Sequence, residues 1–133
     1  MAVIDAASYI QNPSHLDHTV SAAEPSGRKV AASLLDRLLQ LSREAAQIGE
    51  YEVAYHAIMA ALHAADRARS LSGIDRIMRL AEEQENAIES EAPPHRLSSA
   101  QARRRGTHSV YQSLPVHAEA LRVRLKSAGG SLD

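Results

Sequence analysis

The segment Gly49–Leu62 reads Gly-Glu-Tyr-Glu-Val-Ala-Tyr-His-Ala-Ile-Met-Ala-Ala-Leu, the turn and second helix of a tight helical hairpin. Apolar side chains in and just after this segment recur at helical spacing: Tyr51, Ala54, Tyr55, Ile58, Leu62 and Ala65. The small alanines allow a neighbouring helix to approach closely. Glycine suits the left-handed conformation that closes a helix, so we expect Gly49 to end the preceding one. The segment therefore predicts an antiparallel pair of packed helices.

Extending the periodicity outward predicts three long helices, over residues 27–48, 50–69 and 73–91. The apolar stripe of the first consists of Ala31, Leu34, Leu35, Leu38, Leu41, Ala45 and Ile48. Ser26 is the expected N-cap of the first helix, and Ser72 with Asp75 has the shape of a capping box for the third. Pro93 and Pro94 stop the third helix.

The C-terminal third of the chain is predicted to contain a basic loop and a last helix. The loop covers residues 93–112, with a possible helix over 98–105, and the last helix covers 115–126. Residues 121–126 alternate apolar and basic side chains, as an edge strand would, but no partner strand is visible, so we favour the helix. We predict a flexible arm at 1–26, one helical domain at 27–127 and a disordered tail at 128–133.

Composition supports an all-α fold, a small antiparallel bundle of three long helices plus the C-terminal one. The chain has 133 residues, which suits one domain. It contains no Trp, Phe or Cys and four Tyr, so the core must come from aliphatic residues. The expected core consists of Leu34, Leu35, Leu38, Leu41, Ile48, Tyr51, Tyr55, Ile58, Leu62, Ile74, Ile77, Met78, Ala81, Ile88, Leu121 and Leu125.

Several classes of protein are disfavoured by what the sequence lacks. Without Cys there is no disulfide, thiolate nucleophile or Cys-ligated zinc, which is compatible with the cytoplasm as the expected location. The N-terminus does not have the pattern of a secretory signal, and no apolar run approaches the ~20 residues that cross a bilayer. We therefore expect a soluble protein that does not span a membrane.

Part of the predicted hairpin resembles a single tetratricopeptide repeat. The residues that carry the resemblance are Leu38, Leu41, Gly49, Tyr51, Ala54, Ile58, Ala61 and Leu62, within residues 38–66. Ser42, Ala45 and Asp66 depart from that family's pattern, which prefers glycine, tyrosine and proline there. No second copy follows, and solenoids need several stacked units. The resemblance implies a helical hairpin and assigns no peptide-binding residues.

Charge is distributed unevenly along the chain. Residues 51–92 hold eight acidic and four basic side chains, whereas residues 93–133 hold seven basic and two acidic ones. One interpretation is that the basic end folds back on the acidic helix, or that both are solvated. The alternative is an external anion such as nucleic acid, bound by Arg103, Arg104 and Arg105 with Tyr111 stacking on a base.

Two further clusters were weighed for chemistry. Glu52, His56 and His63 share one flank of the second helix and could ligate zinc or iron, although such a site usually needs another ligand. Glu82, Glu85 and Glu89 lie on one face of the third helix and read as a solvated face. No nucleophile elbow and no phosphate-binding glycine loop is present, so we predict neither an enzyme nor a cofactor.

The function predicted from the sequence is a non-catalytic helical protein–protein interaction module, with another protein or a second copy of itself as partner. The observation behind it is a set of apolar residues outside the main stripes, Leu39, Val53 and Met59. Two alternatives stay open: a nucleic-acid-associated regulator that uses Arg103–Arg105, and a small metal-binding bundle that uses Glu52, His56 and His63.

Overall fold

The computed structural model describes residues 25–129, which form five α-helices and no strand. The helices are α1 (Pro25–Gln47), α2 (Tyr51–Ala68), α3 (Leu71–Glu91), α4 (Ser99–Arg104) and α5 (Val110–Ser127). The predicted all-α bundle is confirmed. The arm expected at 1–26 and the tail expected at 128–133 lie largely outside the described residues.

The bundle is built on the α1–α2 hairpin. These two helices share the most extensive contact in the fold, α3 packs on α2, and α5 packs chiefly on α3 and also touches α2. Helix α1 has only a small contact with α3, so it lies at the edge of the bundle. None of the described helices combines the length and apolar character needed to cross a membrane.

The turn between α1 and α2 is closed as the sequence predicts. Gly49 adopts a left-handed conformation, with φ of 80°. The amide of Glu50 donates to the carbonyl of Ala45 at 2.9 Å, and the amide of Gly49 donates to that of Ala46 at 3.0 Å. This pair of bonds is the Schellman motif, which satisfies carbonyls at the end of a helix.

The turn between α2 and α3 is shorter than predicted, and its cap is a different serine. Arg69 takes the left-handed position, with φ of 54°, and the hydroxyl of Ser70 accepts a hydrogen bond from the Gly73 amide at 2.9 Å. The capping box predicted at Ser72 and Asp75 is therefore wrong. A Cβ added at Gly73 would lie 2.6 Å from Cδ2 of Leu35. Glycine at this position lets the first turn of α3 approach α1 closely.

Helices α1 and α5, like α3, begin earlier than predicted. Helix α1 starts at Pro25, whose fixed φ suits a first helical position, so Ser26 lies inside the first turn and is not the N-cap. Helix α5 starts at Val110 rather than at 115, because Ser109 and Gln112 form a capping box that supplies a start signal upstream of Pro115. Residues 121–126 are helical, so the edge-strand alternative is wrong.

Two parts of the predicted 93–112 loop are helical, residues 99–104 and residues 110–112. The possible helix in it forms as α4, and Ser98 caps it by accepting from the Gln101 amide at 3.2 Å. The carboxylate of Glu89 in α3 accepts from the Ser99 amide at 2.7 Å and from the Ser99 hydroxyl at 2.8 Å. Glu89 therefore ties α4 to α3, which corrects its assignment to a purely solvated face.

The core contains most of the expected residues, but the buried face of α1 is shifted. Leu34, Leu41 and Ile48 are exposed, whereas Leu39, which was set aside as an outlying apolar residue, is fully buried. Leu38, Tyr55, Met59 and Met78 are partly buried and pack against the core. Helix α1 carries two adjacent apolar stripes, and the bundle buries the stripe that contains Ala31, Leu35, Leu39, Ser42 and Ala45.

Part of the basic C-terminal segment folds back on the acidic helices, as the first charge interpretation predicts, whereas Arg103 and Arg104 are exposed. Arg122 in α5 pairs with Asp75 in α3, and Arg124 pairs with Asp66 in α2 at 2.9 Å. Exposed pairs of this kind contribute at most about 1 kcal/mol each to stability. They fix the orientation of α5 more than they stabilise the fold.

The shifted face of α1 gives a direct test. We expect Leu39→Ala to lower the free energy of unfolding by about 2–5 kcal/mol, because removal of a fully buried side chain leaves a cavity. The matched control is Leu41→Ala, at a side chain that is 50% exposed, where the loss should stay within about 0.5 kcal/mol. Urea unfolding of dilute protein measures both, and equal losses would contradict the assignment of the two faces.

Candidate functional site

The surface that distinguishes this bundle is an apolar stripe on the side of α1 that faces solvent, which we call the outer face of α1. Its large side chains and their exposed fractions are Val30 (62%), Leu34 (43%), Leu41 (50%) and Ile48 (77%). At 3.6 residues per turn these four positions fall within about 40° of arc. They form one line that follows α1 and ends at Ile48, the first residue after the helix.

Polar side chains border this line. Leu34, Leu38 and Leu41 form the apolar floor of a shallow groove of about 400 Å³, and Arg37 and Glu44 lie at its rim. Glu44 accepts a hydrogen bond from the Gln40 amide at 3.1 Å. Within the described residues Arg37 has no ion pair, so the groove combines an apolar centre with one cation and one anion on its border.

The orientation of α1 is fixed by a polar group on its buried side. The Ser42 hydroxyl donates to the carbonyl of Ala54 in α2 at 2.8 Å, and it accepts from Nε2 of Gln84 in α3, also at 2.8 Å. Both side chains are almost fully buried. Buried polar groups of this kind destabilise the fold when they are left unpaired, so Ser42 must face inward.

The chain of hydrogen bonds continues into α5. The hydroxyl of Tyr111 donates to Oε1 of Gln84 at 2.6 Å and lies 3.2 Å from the carbonyl oxygen of Tyr51. Every bond runs in the same direction, from the Tyr111 hydroxyl through Gln84 and Ser42 to the Ala54 carbonyl. We call this set the buried relay, and it joins all four long helices.

The relay also settles the role of Tyr111. Burial raises the pKa of the Tyr111 hydroxyl well above its usual value, so the group stays protonated and acts as a donor. Its ring lies 5.7 Å from that of Tyr55, edge to face. Because Tyr111 is buried, it cannot stack on a nucleotide base, and that part of the nucleic-acid hypothesis is wrong.

The predicted metal-ligating residues interact with different partners and do not converge on one point. Glu52 accepts from Nη2 of Arg96 at 2.8 Å, and this hydrogen bond holds the pKa of the carboxylate below its usual value. His56 and His63 are exposed, and the His56 ring lies against that of Tyr55. Within residues 25–129 no three His, Cys, Asp or Glu side chains gather as a metal site.

Two other clefts were considered. One, of about 490 Å³ between α2 and α5, brings His63 near Asp66, His117 and Arg124, but Asp66 already pairs with Arg124. The other, of about 300 Å³, lies between α1 and α3 above Gln84. Neither gathers groups with the geometry of a catalytic centre.

The three arginines of the basic cluster are placed at the end of α4. Arg103 and Arg104 are exposed in its last turn, where positive charge complements the helix dipole. The guanidinium of Arg105 donates to the carbonyl of Arg96 at 2.9 Å. Arg105 therefore links the end of α4 to the segment between α3 and α4.

The acidic face of α3 is only partly solvated. Burial, together with the neighbouring charges of Glu89 and Glu82, raises the pKa of Glu85. Glu89 binds Ser99, as described above. This arrangement provides no second buried group beside Glu85 that would make an acid–base pair.

Comparisons with protein-family models, with curated proteins and with solved structures found no match to this chain. The α1–α2 hairpin that the tetratricopeptide resemblance implied is present, but membership of that family is not supported by these comparisons.

Sequence reasoning missed the members of the site that matter most. Gln84 lies among Glu82, Glu83 and Glu85 and looks like part of a solvated face. Ser42 was noticed only as a departure from a repeat pattern. Arg37 and Glu44 stand out only once the outer face of α1 is known to be exposed.

The buried relay predicts a specific loss of stability. Tyr111→Phe removes the donor to Gln84, and we expect the free energy of unfolding to fall by about 1–3 kcal/mol, because a buried amide oxygen loses its partner. The control is Tyr55→Phe, since the Tyr55 hydroxyl makes no hydrogen bond within the described residues. Equal effects of the two substitutions in urea unfolding would contradict the relay.

Proposed function

We propose that this chain is a non-catalytic helical protein-interaction module that docks its partner on the outer face of α1. The observation that carries the proposal is the alignment of four large exposed side chains: Val30, Leu34 and Leu41 on α1, and Ile48 directly after it. Aligned apolar surface of this kind marks contact sites for other proteins.

The distribution of the remaining exposed apolar side chains supports this choice of surface. Among the described residues they are Val53 on α2 and Val116 and Val123 on α5, so four of the seven large exposed apolar side chains lie on the outer face of α1. Helix α1 has 23 residues, which corresponds to a length of about 35 Å. Its position at the edge of the bundle leaves the whole line accessible to one partner helix.

The buried polar groups favour a role without catalysis. Ser42, Gln84 and Tyr111 are paired with one another or with backbone, and burial moves the pKa of the one titratable group among them away from neutral pH. Such a relay holds helices together. General acid–base catalysis is most efficient with a group whose pKa lies near the working pH. The absence of Cys from the sequence agrees with a cytoplasmic setting, which we also propose.

Site-specific photo-crosslinking in cell extract tests this proposal. A photoreactive amino acid in place of Leu41 should give adducts of discrete mass with a protein, another copy of the chain included. The same amino acid in place of Val116, which is also exposed but lies on α5, should give none. Leu34→Glu should abolish the adducts from position 41, because a charge enters the apolar line.

The result that would contradict the proposal is an absence of adducts from position 41, or the same adducts from both positions. A nucleic acid as the partner would give a different result. Retention on DNA or RNA that falls with added salt, and is lost when Arg103, Arg104 and Arg105 become Ala, would favour that alternative.

A further inference from the structure

Three of the four apolar side chains on the outer face of α1 are evenly spaced along the chain. Leu41 is at the centre, and Leu34 and Ile48 lie seven residues to either side of it. Arg37 and Glu44 lie four residues before and three residues after the centre, on the same border of the groove. A surface with this spacing is complementary to itself when one copy is turned by 180°.

We propose that the partner of this face is a second copy of the same chain, bound with the two α1 helices antiparallel and a two-fold axis beside Leu41. This inference rests on the proposed function and names its partner. In this arrangement Leu41 packs against the partner subunit's Leu41. Leu34 packs against the partner subunit's Ile48, and the reverse contact follows by symmetry.

Charge complementarity selects this arrangement. Two positions seven residues apart on a helix are separated by about 10 Å, so Arg37 and Glu44 of one copy are badly placed to pair with each other. The antiparallel arrangement brings Arg37 beside the partner subunit's Glu44, and the two-fold axis generates the pair twice. In a parallel arrangement about a two-fold axis, the charged borders of the two copies would lie on opposite sides of the contact, so Arg37 and the partner subunit's Glu44 would not meet.

The charged border formed by Arg37 and Glu44 also explains why the two helices would pack in one register. Sliding one helix by a full turn moves Arg37 away from the partner subunit's Glu44 and leaves Leu34 facing the end of the opposite apolar line. The apolar side chains supply most of the attraction, since exposed ion pairs contribute little. The two charges set direction and register, as flanking charges do in coiled coils.

A charge-exchange experiment on the purified full-length chain tests the proposal. Sedimentation over a range of concentrations should show a monomer of 14.4 kDa in equilibrium with a species of twice that mass. Arg37→Glu and Glu44→Arg should each raise the dissociation constant about tenfold, because both ion pairs become repulsions. An equimolar mixture of the two variants should recover association as a heterodimer, since every pair is then opposite in sign.

The matched control is Arg43→Glu. Arg43 is also exposed on α1 but lines the groove between α1 and α3, so its reversal should leave the dissociation constant within about twofold. Arg37→Glu and Arg43→Glu change the net charge equally, so a difference between them reports the position of the charge. Circular dichroism of each variant should match that of the wild type, since all three positions are exposed.

A monomer at every concentration would overturn the inference, and so would a dimer in which mixing the two variants fails to restore association. Neither result would decide the proposed function. If the chain is monomeric but position 41 still gives adducts with another protein, the outer face of α1 is still a docking surface. Only the proposal that its partner is a second copy is then wrong.

Discussion

The structure depends on one buried chain of hydrogen bonds, from the Tyr111 hydroxyl through Gln84 and Ser42 to the carbonyl of Ala54. Rotation of α1 by about a quarter turn would bury Leu41, but it would carry Ser42 toward solvent and leave the Gln84 amide without its acceptor. A buried amide without a partner costs about 1–3 kcal/mol, while the inner stripe already supplies Leu35 and Leu39 to the core. The relay therefore fixes which of two apolar stripes is inside and which is left for a partner.

The sequence predicted the parts of the fold that depend on local patterns. Periodicity located the long helices, and the glycine at position 49 marked the end of the first, because both signals act within a few residues. The rotation of α1 was not predictable, since Leu34 and Leu35 belong to different stripes of similar hydrophobicity. The contact between Ser42 and Gln84 spans 42 positions, and Gln84 is surrounded by glutamates that indicate an exposed face. The N-cap of α3 was also not predictable from the local sequence. Ser70 and Ser72 are both suitable caps, and the close approach of α3 to α1 selects Ser70.

The candidate site follows from the same constraint. With Ser42 turned inward, the residues about 110° around the helix present an apolar line bordered by one cation and one anion. Some of the charges that could serve an external ligand pair within the fold, Arg122 with Asp75 and Arg124 with Asp66, whereas Arg103 and Arg104 stay exposed. Within residues 25–129 the outer face of α1 stays exposed, and the spacing of its side chains about Leu41 suits another copy of itself.

Distances between spin labels give the most direct test of this account. The chain has no Cys, so single cysteines at Ser33, Gln40 and Gln47 can be labelled one at a time on the exposed flank of α1. For antiparallel helices centred on Leu41, the offsets along the axis between equivalent labels are about 24, 3 and 18 Å respectively, from the rise per residue. The account predicts the shortest distance at position 40 and longer ones at the other two. Equal distances at all three positions, or no dipolar coupling at any, would contradict it.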